Sequence, residues 1–166
     1  MMLGLSKIIE TPGASVPFST EVDLSDLCYG VSYPVTEPVI AEGMVRNTAG
    51  VLVMTGSIRT IIHGTCDRCA ANFDRDIDFP IDVVLVTELA NEENDDEWVF
   101  PLEGDSADLE DIIRTVFVLN MDSKLLCKPD CKGICGGCGK NLNFETCSCE
   151  KEIDPRLAAL KQLLNK

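Results

Sequence analysis

A single histidine, His63, is all that the 166 residues provide, so a hydrolytic site built on nucleophile, base and orienting acid has no second candidate for its base. Glycine-rich phosphate loops of the nucleotide-binding kinds are missing, which removes the usual way of cradling a nucleotide. No stretch approaches the roughly 18 consecutive apolar residues of a membrane helix. The start of the chain, broken by Ser6, Lys7 and Glu10, does not read as a secretory signal either. Aromatic residues make up only 5% of the chain, so its core is modest and aliphatic, of a size that suits one domain. Basic residues are scarce as well: 14 Lys and Arg stand against 28 Asp and Glu, and the formal charge of −14 excludes a protein that simply coats nucleic acid. The shortage is uneven. From Asp76 to Ile113 there are 14 acidic residues and no basic one, whereas Arg114 to Lys166 holds nine basic residues against six acidic.

Cysteine is what the chain has in excess. Six of its nine cysteines fall in the 23 residues from Cys127 to Cys149, among Gly, Lys, Asp, Asn and Ser that cannot form a hydrophobic core of their own. The sulfurs therefore bind something: another sulfur, zinc, or iron with sulfide. Disulfides need an oxidising compartment, and with no signal segment the expectation is a reducing cytoplasm, where clustered cysteines usually mean metal. Cys135-x2-Cys138 followed by Cys147-x-Cys149 has the form of two knuckles of a tetrathiolate zinc site, with Gly136, Gly137 and Gly139 allowing the tight turns. Cys66-x2-Cys69 can join Cys127-x3-Cys131 as a second set of four, although sequence does not specify which distant sulfurs meet. Two zinc ions are expected. The stretch also contains Cys131-x3-Cys135-x2-Cys138, the spacing of the cluster motif in radical S-adenosylmethionine enzymes, but that motif lies early in a long barrel and only 28 residues follow Cys138 here. A thiol redox or metal-handling protein using Cys66-x2-Cys69 and an iron-sulfur protein are the other classes the cysteines allow.

In chain order, Phe18 to Leu24 alternates as a short strand. Val39–Val45 and Gly50–Ile62 are rich in β-branched residues and flank turn chemistry at Asn47-Thr-Ala-Gly50, which predicts a hairpin. The second strand runs into Cys66 and Cys69, and Asn72–Phe79 returns with alternating Phe73, Arg75, Ile77 and Phe79. The first cysteine pair is thus expected at the tip between two antiparallel strands, a placement unlike the strand-to-helix setting of thioredoxin-like motifs. Pro80 precedes another strand at Ile81–Thr87. Asn91 to Glu97 carries five carboxylates and reads as a solvated loop, a docking surface for a basic partner, or a calcium loop lacking its glycine. Trp98–Pro101 reads as a short strand. Ser106 is expected to cap a helix from Ala107 with Leu109, Ile112, Ile113, Val116 and Phe117 as its buried stripe, and Asp154-Pro155 starts a final helix with Leu157, Leu160, Leu163 and Leu164 on one side. Cys28 is expected to be a packed thiol, and His63 to donate to a thiolate or cap its strand.

The Cys66-x-Arg-Cys69 knuckle after a strand pair, the acidic middle, the helix, and then Cys127-x3-Cys131-Lys-Gly-Ile-Cys135-x2-Cys138-Gly-x-Asn141-Leu-Asn143 with Cys147-x-Cys149 and Asp154-Pro-Arg156 resemble the bacterial YceD family over nearly the whole chain. Gly136 departs from similar sequences, which more often have proline there. The resemblance implies a role in accumulation of large-subunit ribosomal RNA, with no catalytic residues to carry over. Members that keep only the upstream pair and ligands near Cys127 and Cys131 support pairing Cys66 and Cys69 with those two. The expected molecule is therefore α+β, with a mainly antiparallel β core and one packed helix over residues 1–125, a cysteine-rich zinc-binding segment over 126–150, and a C-terminal helix over 151–166. Its expected function is that of a non-enzymatic factor in large-subunit biogenesis that binds ribosomal RNA, a ribosomal protein, or both, with no membrane and no small-molecule substrate. Candidate RNA contacts are Lys128, Lys132, Lys140, Lys151 and Arg156, which can equally serve only to neutralise thiolate charge, while the acidic stretch 76–113 suits a basic ribosomal protein.

Overall fold

A computed structural model describes residues 1–87 and 98–149; the acidic run at 91–97, Lys151, Arg156 and the expected C-terminal helix lie outside the described residues. The chain is α+β with a mainly antiparallel core. Strands β2 (Ser15–Val22), β3 (Val39–Thr48), β4 (Val51–Thr65) and β5 (Asn72–Val86) form an antiparallel meander, and β6 (Val99–Pro101) adds in parallel beside β5. Each strand alternates buried and exposed residues, so one face of the sheet carries Val22, Val39, Ala41, Val45, Met54, Ile58, Ile62, Ile81 and Val83 into the core. Helix α2 (Leu109–Asn120) covers that face with Leu109, Ile112, Ile113, Val116 and Phe117, all buried, and Phe117 meets Phe79 edge-on with ring centres 5.6 Å apart. Burying five such side chains contributes on the order of 10 kcal/mol before the entropy of ordering them is subtracted.

Three local expectations need correction. The helix is capped by Asp108, whose Oδ1 accepts the Glu110 N–H at 3.0 Å, and not by Ser106. Residues Ser106–Asp108 are instead a strand, β7, paired with β1 (Met2–Gly4), so their backbone is extended and the cap falls to the next suitable side chain. The segments on either side of Pro80 form one strand of 15 residues. Among the described residues, Pro80 sits where β5 has a single ladder neighbour, β4, and a missing backbone donor is tolerated on such a stretch. Cys28 is exposed, in the loop after β2, with its thiol 3.6 Å from the Gly30 carbonyl oxygen.

Two features shape the sheet around its far end. The β3–β4 turn has Ala49 and Gly50 both at positive φ, and buried Asn47 ties it to the short helix α1 (Ser6–Ile9) by donating to the carbonyls of Ile8 and Ile9 at 2.7 and 2.8 Å. The β4–β5 hairpin, paired from Leu52↔Leu85 to Thr65↔Asn72, projects residues 66–71 at its tip. That tip carries Cys66 and Cys69.

Candidate metal centres

The hairpin tip is a knuckle whose geometry the chain builds twice. The Cys66 N–H donates to the Ala71 carbonyl at 2.9 Å and the Ala70 N–H to the Cys66 carbonyl at 2.8 Å; the Cys135 N–H donates to Lys140 at 2.8 Å and the Gly139 N–H to Cys135 at 2.9 Å. The residue after the second cysteine has positive φ in both, 54° at Ala70 and 72° at Gly139. Such a turn aims consecutive backbone N–H groups at the first sulfur, as with the Gly137 N–H 3.4 Å from the Cys135 Sγ.

The residues inside the first knuckle recruit the second half of its group. Asp67 donates its N–H to the Leu125 carbonyl at 2.8 Å and accepts the Leu125 N–H on Oδ2 at 2.7 Å, which brings the following turn alongside. Arg68 donates from Nη1 to the Cys131 carbonyl at 3.1 Å and accepts the Ile134 N–H at 3.1 Å. Cys66, Cys69, Cys127 and Cys131 thereby form one group and Cys135, Cys138, Cys147 and Cys149 another, with all sulfurs of a group within 4.8 Å of one another. The first group is mostly buried, packed with Ala71, Phe73 and Leu126; the second is largely exposed.

Each donor set is compact enough for a single ion, the first at tetrahedral spacing and the second somewhat tighter. Sulfurs about 2.3 Å from a common ion stand about 3.8 Å apart at the corners of a tetrahedron. The Cys66–Cys131 and Cys69–Cys127 sulfur separations are 3.8 and 3.7 Å, and in the second group Cys138–Cys147 and Cys135–Cys147 are 3.5 and 3.3 Å. These separations are far beyond a disulfide bond of about 2 Å. A four-iron cluster places iron and sulfide between its cysteines and would spread the sulfurs wider. The three cysteines of the radical-enzyme spacing are also divided, Cys131 to one group and Cys135 and Cys138 to the other. Both groups could hold a metal ion.

Electrostatics point the same way. Burial pushes the Cys66 thiol up, but the backbone N–H groups of Cys127, Arg68 and Cys69 outweigh it and bring it down to about 6. Burial and the sulfurs of Cys69, Cys66 and Cys131 push Cys127 up to about 12. The pattern recurs in the second group: backbone N–H groups of Cys138 and Gly137 lower Cys135 to about 6, while the sulfurs of Cys147, Cys138 and Cys135 raise Cys149 to about 12. Four thiols so close cannot all ionise against one another, and a dication removes that conflict.

His63 joins neither group and touches no thiolate. Its Nδ1 lies 2.7 Å from the Asp74 Oδ1, its partner across the β4–β5 ladder, and its Nε2 lies 3.5 Å from Glu37. The Asp74 hydrogen bond, reinforced by Glu37, raises the imidazolium pKa above its ordinary 6.5. Folding therefore gains stability from the charged ring that is fully present below about pH 6.5 and is lost as pH climbs through the raised value. Asp74→Asn is expected to move the ring titration, followed by NMR, back toward the ordinary value; an unmoved titration would refute this account.

Of the lysines, Lys128 pairs with Asp130 at 3.9 Å and Lys140 with Glu145 at 3.5 Å, both exposed, and Lys132 is exposed beside them. Sequence reasoning assigned no role to Asp67, Arg68 or Asn143, although all three stand inside the cysteine motifs. It also passed over Phe144, which is 84% exposed on the second centre's loop.

A family model described as large ribosomal RNA subunit accumulation protein YceD matches residues 54–164. The chain is similar to chloroplastic proteins named large ribosomal RNA subunit accumulation protein YCED homolog 1. The one from Zea mays is 27% identical over 154 residues, covering 75% of this chain and 53% of that protein. The one from Arabidopsis thaliana is 29% identical over 149 residues, covering 72% and 46%. An uncharacterized protein of Mycobacterium tuberculosis is 31% identical over 122 residues, covering 69% and 56%. The chain spans about half the length of these curated relatives. No solved structure matches it significantly.

Proposed function

The chain belongs to the YceD family of large ribosomal RNA subunit accumulation proteins, and from that premise we propose that it is a non-enzymatic, zinc-binding factor in the biogenesis of the large ribosomal subunit, acting in the cytoplasm and binding ribosomal RNA through its metal-bearing end. The observation that carries the RNA reading is Phe144. An aromatic ring 84% exposed on a loop tied down by sulfurs, with Lys132 and Lys140 on the same short segment, has the makings of a base-stacking platform flanked by phosphate contacts. The Lys128–Asp130 and Lys140–Glu145 pairs are exposed and worth at most about 1 kcal/mol each, so a phosphate can displace the carboxylates. Zinc is supported by the two compact sets of four thiols, and the buried first pair speaks against a redox thiol, which must be reached by its partner.

A protein partner has its own support. Asp74, Asp76, Asp78 and Asp82 lie exposed along one face of β5, interrupted by Pro80. Asp74 is engaged by His63 and Asp78 by Arg59 in exposed pairs, and the row keeps an acidic excess that would complement a basic ribosomal protein. The RNA reading is tested by binding to large-subunit RNA fragments at low salt, where phosphate contacts are strongest. Phe144→Ala is expected to weaken binding by roughly tenfold, as loss of one stacked base predicts, and neutralising Lys128, Lys132 and Lys140 together should flatten the salt dependence. If both variants bind as the native chain does, RNA is not held by this end of the protein.

A further inference from the structure

One side chain joins the two centres. Asn143 lies in the loop between Cys138 and Cys147, both in the second group, yet its Nδ2 donates to the Cys131 Sγ of the first group at 3.3 Å. The same amide is held from two other sides: Nδ2 also donates to the Asn141 Oδ1 at 2.9 Å, and Oδ1 accepts the Lys132 N–H at 2.9 Å. Both amide hydrogens and the carbonyl are committed, so the half-buried side chain is occupied with protein partners. The backbone around it forms a narrow ladder. Leu142 donates its N–H to the Gly133 carbonyl at 2.9 Å, Asn141 bridges Ile134, and the Cys135 N–H closes on Lys140. One end of this ladder is the second knuckle; the other end is Asn143 against Cys131.

We propose that Asn143 is a positioning residue that couples the two centres. An ion held by Cys135, Cys138, Cys147 and Cys149 fixes the 140–143 side of the ladder, which aims Nδ2 at Cys131 and tightens the grip of Cys66, Cys69, Cys127 and Cys131 on their own ion. Hydrogen bonds from neighbouring groups orient a metal's ligands, and losing one typically costs 10- to 100-fold in affinity. Linkage makes the effect reciprocal: filling the buried centre favours the exposed one by the same factor. This inference rests on the metal reading above.

The test uses the full chain loaded with cadmium, followed by 113Cd NMR, in which each centre gives its own resonance and that of the first is assigned by its loss in Cys66→Ser. Chelator competition on that resonance is compared in the native chain, Asn143→Ala, Cys147→Ser and the double variant. Asn143→Ala is expected to weaken the first centre 10- to 100-fold. Cys147→Ser, whose sulfur neighbours are Cys135 and Cys138, is expected to weaken it as well while leaving Asn143 in place, and to add nothing further once Asn143 is Ala. In a Cys66→Ser background, Asn143→Ala should leave the second centre's affinity unchanged, whereas a residue that merely holds its loop would weaken it. An unchanged first centre in Asn143→Ala, or fully additive effects of the two substitutions, would overturn the coupling. A native chain that binds no ion would instead defeat the metal reading itself.

Discussion

Removing metal from the reduced protein with a strong chelator is expected to unfold residues 127–149 while leaving the sheet and α2 folded. The segment has almost nothing else to hold it. From Lys128 to Cys149 the only buried side chain is that of Cys131; the remaining residues are polar, glycine, other cysteines, exposed apolar groups such as Ile134 and Phe144, or the half-buried Leu142. Structural zinc supplies roughly 10 kcal/mol or more of folding free energy to such pieces, more than the few hydrogen bonds of the 132–143 ladder can provide at about 1 kcal/mol each. The sheet has its own largely aliphatic core, from Leu5 to Leu125, which involves no cysteine. Amide exchange should therefore lose protection at Cys131, Ile134, Cys135 and Leu142 but keep it at Val45, Met54 and Val83, and Cys131→Ser should reproduce the local loss at the first centre. Undiminished protection at the four cysteine-segment amides after metal removal would show that the sulfurs are not what folds this part.

Gly43→Ala is expected to destabilise the whole domain by about 3 kcal/mol or more, a large part of the roughly 5–15 kcal/mol that a domain typically has. Gly43 faces Gly56 across β3 and β4, and Phe18 faces Gly43 from β2. A methyl group on Gly43 would stand 2.1 Å from the Thr55 carbonyl oxygen, 2.8 Å from the Gly56 Cα and 2.8 Å from the Phe18 Cζ. Two of these atoms are backbone, so relief requires the strands to part, not a side chain to turn. Phe18 is buried over the glycine pair and would be displaced too. Gly4→Ala serves as the comparison, since nothing lies within 4 Å of its added carbon. Denaturant unfolding of the two variants should differ by most of the predicted loss; equal midpoints would show that the sheet yields more easily than its packing implies.

Much of this molecule was legible from local pattern. The β-branched runs on either side of Asn47-Thr-Ala-Gly50 specify a hairpin because alternation and turn chemistry act between neighbours, and the stripe Leu109, Ile112, Ile113, Val116 and Phe117 specifies one helical face for the same reason. Cys135-x2-Cys138 with Cys147-x-Cys149 was readable because its sulfurs lie close along the chain. Position in space was not. Ser106 looked like a cap until β1, from the other end of the described chain, drew residues 106–108 into a strand. Pro80 looked like a break because a single sequence does not reveal which edge of a strand is left unpaired.

Element types, thiol-rich chemistry and knuckle turns were thus settled along the chain, because all of them arise from contacts within a few residues. Which sulfurs meet was settled only in three dimensions. Cys66 and Cys69 reach Cys127 and Cys131 because the β4–β5 hairpin carries its tip to the end of α2, where Asp67 and Arg68 dock the incoming segment. The same packing turns His63 toward Asp74 and Glu37 rather than a sulfur, and lets Asn143 span the two centres. Those contacts join residues 11 to 65 positions apart. Closing such loops depends on the packing of the entire sheet, which no local pattern encodes.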